Sequence, residues 1–142
     1  MAEERVIPAE LAEIYARVCY WVTPPGAAPY VLRVGSPSPE LDAALAARRA
    51  ETWAYLTAHN PGSQLATPEE NARRQDALAA ELRAGGYQSL PGYGEGLEGW
   101  PDEVSALVFG IEVEAARALA ARYGQAAFLA GRAGGAVRLE AG

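Results

Sequence analysis

The sequence predicts an α+β fold, a ferredoxin-like β-α-β-β-α-β sandwich preceded by an N-terminal helix and a β-hairpin, with the helices mainly on one face of a mostly antiparallel sheet. Three observations lead there. From residue 52 onward, short β-branched and aromatic runs alternate with stretches of helical apolar spacing. The segment 67–86 carries both helix-start and helix-stop chemistry. Ahead of it, two short strand-like runs flank a Pro/Gly loop at 24–29.

A helix is predicted over 8–16, with Leu11, Ile14 and Tyr15 on one side, and a strand over 18–23, ended by Pro24-Pro25-Gly26. A strand over 30–34 closes the hairpin. Ser38 is placed to cap a helix whose first position is Pro39, where a missing N–H costs nothing, and Leu41 and Leu45 form its inward pair. A strand over 52–58 follows. The helix over 68–84 opens on Thr67-Pro68-Glu69-Glu70, a capping box in which Thr67 and Glu70 each reach the other's backbone N–H, and it stops at Gly85-Gly86. Residues 87–90 read as a strand, 91–101 as a Gly-rich loop, 104–110 as a central strand, 112–123 as a helix ended by Gly124, and 126–130 as a further strand. Residues 136–139 add an edge strand. One domain is expected over 1–142, with 1–50 as the N-terminal extension, 51–131 as the core and 132–142 as edge strand and tail. A mixed α/β sheet that takes in the hairpin as extra strands is the competing layout.

Composition bounds the function. Half of the residues are apolar, 21% are charged, and no apolar run approaches the roughly 18 residues of a membrane span. Residues 1–5 are acidic, with no apolar core behind them, so a secretory signal is not expected and a cytoplasmic setting is. All 12 cationic residues are Arg, the formal charge is −6, and no basic stripe forms, which argues against nucleic acid as a partner. One Cys and one His cannot build a thiolate or imidazole metal cage, and neither metal nor cofactor is expected. Cys19, in a strand with no flanking cation, reads as a buried small hydrophobe.

Polar side chains collect where the 52–58 strand runs into its helix. At about 100° per residue, Asn71, Arg74 and Gln75 fall in the sector of Leu78 and Leu82, the face turned to the core. Inward polar groups need partners or a water-filled pocket. The candidate ligand-binding residues are therefore Asn60, Ser63, Asn71, Arg74, Glu103, Ser105 and Gln125, drawn from four segments. In one reading Arg74 binds an anionic or carbonyl oxygen, Asn60 and Asn71 orient the ligand, and Glu103 is acceptor or general base. In the other they form a satisfied network around the Asn60-Pro61 turn, with Arg74 paired to Glu103.

His59 invites a dyad with Ser63 or Ser105, yet no Gly-x-Ser-x-Gly elbow or second imidazole supports one. Glycines 92, 94, 96 and 99 resemble a phosphate cradle only superficially. Their segment leads to no helix, carries Glu95 and Glu98, and has no Lys, so a flap over the polar junction fits better. Trp21, Tyr30, Trp53, Tyr55 and Trp100 read as core or cross-strand aromatics before a stacking platform.

Three pieces of the chain resemble one family: Leu56-Thr57-Ala58-His59-Asn60-Pro61-Gly62-Ser63 with Glu70-Asn71-Ala72-Arg73-Arg74; Trp100-Pro101-Asp102-Glu103-Val104-Ser105-Ala106-Leu107-Val108-Phe109-Gly110; and Tyr123-Gly124-Gln125-Ala126-Ala127. Val31-Leu32-Arg33-Val34-Gly35 and Ser38-Pro39-Glu40-Leu41 fit as well. Together they are similar to the bacterial family catalogued as domain of unknown function 3293. The resemblance implies a recurring fold and set of polar positions, and no activity. It also implies an aromatic residue before the Asn-Pro pair, where this chain has His59.

Two expectations about function result. The first is a small polar or anionic ligand bound at the Asn60/Asn71/Arg74/Glu103 junction. The second is a non-enzymatic interaction or regulatory module that uses a sheet face or edge, with a homodimer as one form. A hydrolase or transferase using Glu103 as base is a weaker third, since a carboxylate near an Arg is common in structural ion pairs.

Overall fold

A computed structural model describes residues 6–142; the acidic segment 1–5, on which the expectation of no signal rested, lies outside the described residues. In chain order the elements are α1 (Ala9–Arg17), β1 (Tyr20–Val22), β2 (Tyr30–Leu32), α2 (Pro39–Ala47), β3 (Thr52–Leu56), a 3-10 turn (Pro61–Ser63), α3 (Pro68–Ala84), β4 (Gln88–Gly94), β5 (Glu103–Phe109), α4 (Val113–Arg122), β6 (Ala127–Arg132) and β7 (Arg138–Ala141).

Local chemistry explains the helix starts. Ser38 Oγ accepts the N–H of Leu41 at 3.2 Å, with Pro39 in the first helical position. Thr67 Oγ1 accepts the N–H of Glu70 at 3.1 Å, satisfying one of the free donors of a helix N-terminus. The reciprocal half of the expected capping box, Glu70 reaching back to Thr67, does not form among the described residues. The strand after α3 is longer than the sequence suggested: it continues through Pro91 and Gly92 to Gly94, where a loop was expected from 91. Pro91 lies just past the end of β1, whose last pair is Val22 with Gly92. At 92 only glycine fits, because a Cβ there would lie 2.1 Å from the carbonyl oxygen of Trp21 on β1.

The strands form one sheet in the order β2-β1-β4-β5-β3-β6-β7, with every neighbouring pair antiparallel. The succession β3-α3-β4-β5-α4-β6 follows the chain order read for 51–131. Within the sheet the four strands of that block stand in the order β4-β5-β3-β6, antiparallel throughout, with α3 and α4 packed on one face, so the expected block is recognisable but does not make up the whole architecture. Its four strands are the middle of a seven-stranded sheet that curls into a half-barrel, and the N-terminal hairpin is part of the same sheet. The curl has an identifiable fastening. Gly35 donates its N–H to Val137 O at 2.8 Å, Val137 donates to Ser36 O at 2.9 Å, and Pro37 bridges Ala136. The segment leaving β2 at one edge is thereby hydrogen-bonded to the segment entering β7 at the other. Such closure accumulates the right-handed strand twist in one direction and leaves less free edge.

Helices cover both faces, which corrects the expectation that they sit mainly on one. Along β3 the side chains alternate: Ala54 and Leu56 pack outward with Val108, Phe128 and Ala130 against Leu78 and Leu82 of α3 and Ala116 and Ala120 of α4. Trp53 and Tyr55 face the inner side with Leu107, Phe109 and Leu129, and there Leu41 and Leu45 of α2 meet them. A curled sheet with two apolar faces requires cover on each, and all five residues of β3 are buried as a result. Among the described residues no helix is long and apolar enough to cross a membrane.

Candidate functional site

Asn60 is the hinge of the polar junction. It takes a left-handed conformation (φ 49°, ψ 60°) immediately before Pro61, a combination that its neighbours must hold in place. They do so from several directions. Its N–H donates to Asn71 Oδ1 at 2.8 Å, while Asn71 Nδ2 donates back to Asn60 Oδ1 at 3.0 Å. The same Oδ1 accepts the N–H of Ala66 at 3.0 Å, and Asn60 Nδ2 donates to Glu103 Oε2 at 2.7 Å. Both amides are buried and matched.

Arg74 is also bound within the chain. Its Nε donates to Ala58 O at 3.0 Å and its Nη2 to Tyr123 O at 2.7 Å, with the guanidinium over the Tyr123 ring. Gln75 Oε1 accepts the N–H of Ala58, and Gln125 Nε2 donates to the carbonyls of His59 and Tyr123. The inward polar face of α3 thus ties the end of β3 to the turn after α4. That seam is close-fitting: Gly62 donates to Gly124 O at 2.8 Å, and a Cβ on Gly124, whose φ is +70°, would fall 2.8 Å from Pro61 Cβ. The expected Arg74–Glu103 pair is not present; Glu103 instead accepts from Asn60 and, at 3.3 Å, from Trp100 Nε1.

In front of this network lies a cavity of about 400 Å³ on the inner face of the sheet. Of the sequence-predicted residues, Asn60, Ser63, Glu103, Ser105 and Gln125 line it, while Asn71 and Arg74 stand behind the wall. Its other walls were not foreseen. Tyr20 and Tyr55 rise from β1 and β3, Leu11, Ile14 and Tyr15 come from α1, and Leu97 and Trp100 come from the loop after β4. A signal for part of this was available. Glu103 and Ser105 share the strand parity of Leu107 and Phe109, so they are polar residues on an inward face.

The three tyrosines are edge-on or stacked neighbours: Tyr15 and Tyr20 lie 6.4 Å apart at 18°, Tyr20 and Tyr55 5.7 Å apart at 75°. Burial raises the hydroxyl pKa of all three, that of Tyr15 to about 12, with the negative charge of Glu103 adding to the effect on Tyr15 and Tyr20. They are hydrogen-bond donors at any physiological pH. Tyr55 donates to Trp21 O at 2.7 Å.

The loop over the cavity is braced both within itself and against the residue that precedes β1. Gly96 donates to Asp102 Oδ1 at 2.8 Å, Trp100 donates to Leu97 O at 2.9 Å, and Glu95 donates to Cys19 O at 3.0 Å. Gly92 and Gly94 belong to β4, so the glycine series makes no phosphate cradle. Arg17 of α1 reaches Glu98 across the cavity mouth at 3.5 Å.

His59 is half-buried and off the cavity wall, and its ring bonds neither Ser63 nor Ser105; Ser105 Oγ donates to Glu103 O. Burial draws the His59 pKa below its usual value, against the opposing charge of Glu103. Cys19 departs from expectation: it is half-buried, and Arg33 Nη1 lies 3.1 Å from its Sγ. Trp21 stacks on its cross-strand partner Tyr93, and Trp53 lies in the core, so the aromatics form no single platform. Among the described residues no three His, Cys, Asp or Glu side chains group as a metal site.

A family model described as "Protein of unknown function (DUF3293)" matches residues 56–128, more than half of the chain. The match spans the Asn60 turn, α3, Glu103, Ser105 and Gln125, and begins after the upstream segment 31–41. No curated protein and no solved structure matches the chain.

Proposed function

This chain belongs to the DUF3293 family, and on that premise we propose that it is a small-ligand-binding domain whose ligand occupies the cavity between α1 and the inner sheet face. The observation that carries this is the cavity itself. At about 400 Å³ it has the size of a small-molecule site, with tyrosines and aliphatic side chains on most of its wall and the polar edge Asn60, Ser105, Glu103 and Gln125 on one side. Asn71 and Arg74 serve by holding that edge, with no contact to the ligand. The bacterial, cytoplasmic setting belongs to the same proposal. Catalysis is not part of it.

The alternative, an interaction module working through a sheet edge, draws less support. The segments adjoining the two edge strands are bonded to each other, which shortens the backbone available for strand addition.

The test is an amide-resonance titration with 2-phenylethanol, a neutral aromatic alcohol small enough for the cavity, expected to bind at about 1 mM as fragments of that size do. Saturable shifts should cluster at Tyr55, Gly94, Ser105 and Gln125. The variant Ile14→Trp, which fills the cavity from a position 43% exposed in α1, should abolish them. Absence of saturable shifts in the unaltered protein, or their persistence in Ile14→Trp, refutes the proposal.

A further inference from the structure

We infer that the ligand is a cation, a protonated amine or quaternary ammonium on an apolar body, bound with its charge against Glu103 and its body among the tyrosines; this rests on the cavity being the ligand site. Three observations point to that class. First, the charged groups on the cavity wall are Glu95, Glu98 and Glu103 against a single guanidinium among the described residues, Arg17, which lies 3.5 Å from Glu98. Second, Glu103 is half-buried and its two donors, Asn60 Nδ2 and Trp100 Nε1, both reach Oε2 and are both uncharged. Among the described residues no donor reaches Oε1 and no cation pairs with the carboxylate. A partly desolvated charge without a counter-charge is unfavourable, and a ligand cation supplies what the chain does not. Third, Tyr15, Tyr20, Tyr55 and Trp100 line the same cavity as the carboxylate. Aromatic faces attract cations through the ring quadrupole, most strongly where water is excluded.

An anionic ligand, one form of the small polar or anionic ligand expected from the sequence, is not the class these groups favour. Arg74, the residue meant to receive it, turns Nε to Ala58 O and Nη2 to Tyr123 O and is not among the residues lining the cavity.

Three probes of one scaffold separate the possibilities: phenethylammonium, 2-phenylethanol and phenylacetate, titrated at neutral pH against the full chain and against Glu103→Gln, with binding followed by tryptophan fluorescence and amide shifts. The expected order is cation first, by about tenfold over the alcohol, with phenylacetate weakest. Glu103→Gln should collapse the cation's advantage to within about threefold and leave the alcohol's affinity in place, which also reports an intact cavity. Equal binding of cation and alcohol, or preference for phenylacetate, overturns the charge assignment and leaves the cavity proposal standing. Failure of all three to bind overturns both. Should Glu103→Gln not fold, the ranking on the unaltered chain decides alone.

Discussion

Asn60, Asn71 and Arg74 show how a residue that looks like a ligand-binding group becomes part of the wall. Each is polar and turned inward, and each bonds atoms of the chain itself, so its contribution is to conformation. Asn60 in particular holds a left-handed turn before proline with two backbone and three side-chain hydrogen bonds. Replacing Asn71 by Leu, of similar volume, leaves the Asn60 N–H and Oδ1 short of partners in a buried setting. Such orphaning costs about 1–3 kcal/mol, and urea unfolding should show a lower midpoint with unchanged slope. Arg74→Ala should destabilise by a similar amount, because its charge-assisted bonds end on two carbonyls from different segments. If Arg74→Ala keeps full stability and loses ligand response, Arg74 binds ligand directly and the present placement is wrong.

At the scale of elements, α1 stands apart from the other three helices. Its apolar side, Leu11, Ile14 and Tyr15, faces the cavity, and none of its residues is fully buried. α2 contributes Leu41 and Leu45 to the inner core, and α3 and α4 bury their apolar sides in the outer one. A helix of nine residues with so little burial is marginal by itself. The exposed Arg17–Glu98 pair, with side chains 52% and 80% accessible, adds little to hold it. Hydrogen exchange should therefore show α1 amides opening far more readily than those of β3, and saturating phenethylammonium should slow α1 exchange selectively. Protection of α1 equal to that of β3 in the free protein would contradict this account.

For the molecule as a whole, the inner tyrosine cluster sets the alkaline limit of stability. Tyr15 ionises at about 12 in the fold against 10.0 for the free side chain, and Tyr20 and Tyr55 are raised in the same direction. The folded state thus binds more protons than the unfolded state across that window. The stabilisation is complete below pH about 10 and is lost as pH rises toward 12. His59 works at the other end. Its folded value lies below 6.5, so the stability from its neutral form is present above that pH and declines as pH falls beneath it. Absorbance of tyrosinate should rise together with loss of the near-ultraviolet circular dichroism signal; an early tyrosinate rise with the fold intact would show these hydroxyls to be solvated.

Read from its residues alone, the chain already disclosed what depends on neighbours in sequence. The bounds 68–84 of α3, the Ser38 and Thr67 caps, the chain order β-α-β-β-α-β and the inward polar side of α3 all follow from spacing and end chemistry within about one or two turns. Where those inward groups find their partners is a different kind of information. Arg74 meets Tyr123 O, 49 residues away, and Asn60 meets Glu103, 43 away, and no local period encodes either encounter. The same holds for the half-barrel, which depends on Gly35, Ser36 and Pro37 reaching Ala136 and Val137 from the opposite edge of the sheet. Once the sheet curls, its inner face acquires a hollow that flat stacking would have closed, and α1 comes to lie over it. Local propensity therefore decided the elements, whereas long-range pairing decided which polar groups are spent inside the fold and which face the cavity.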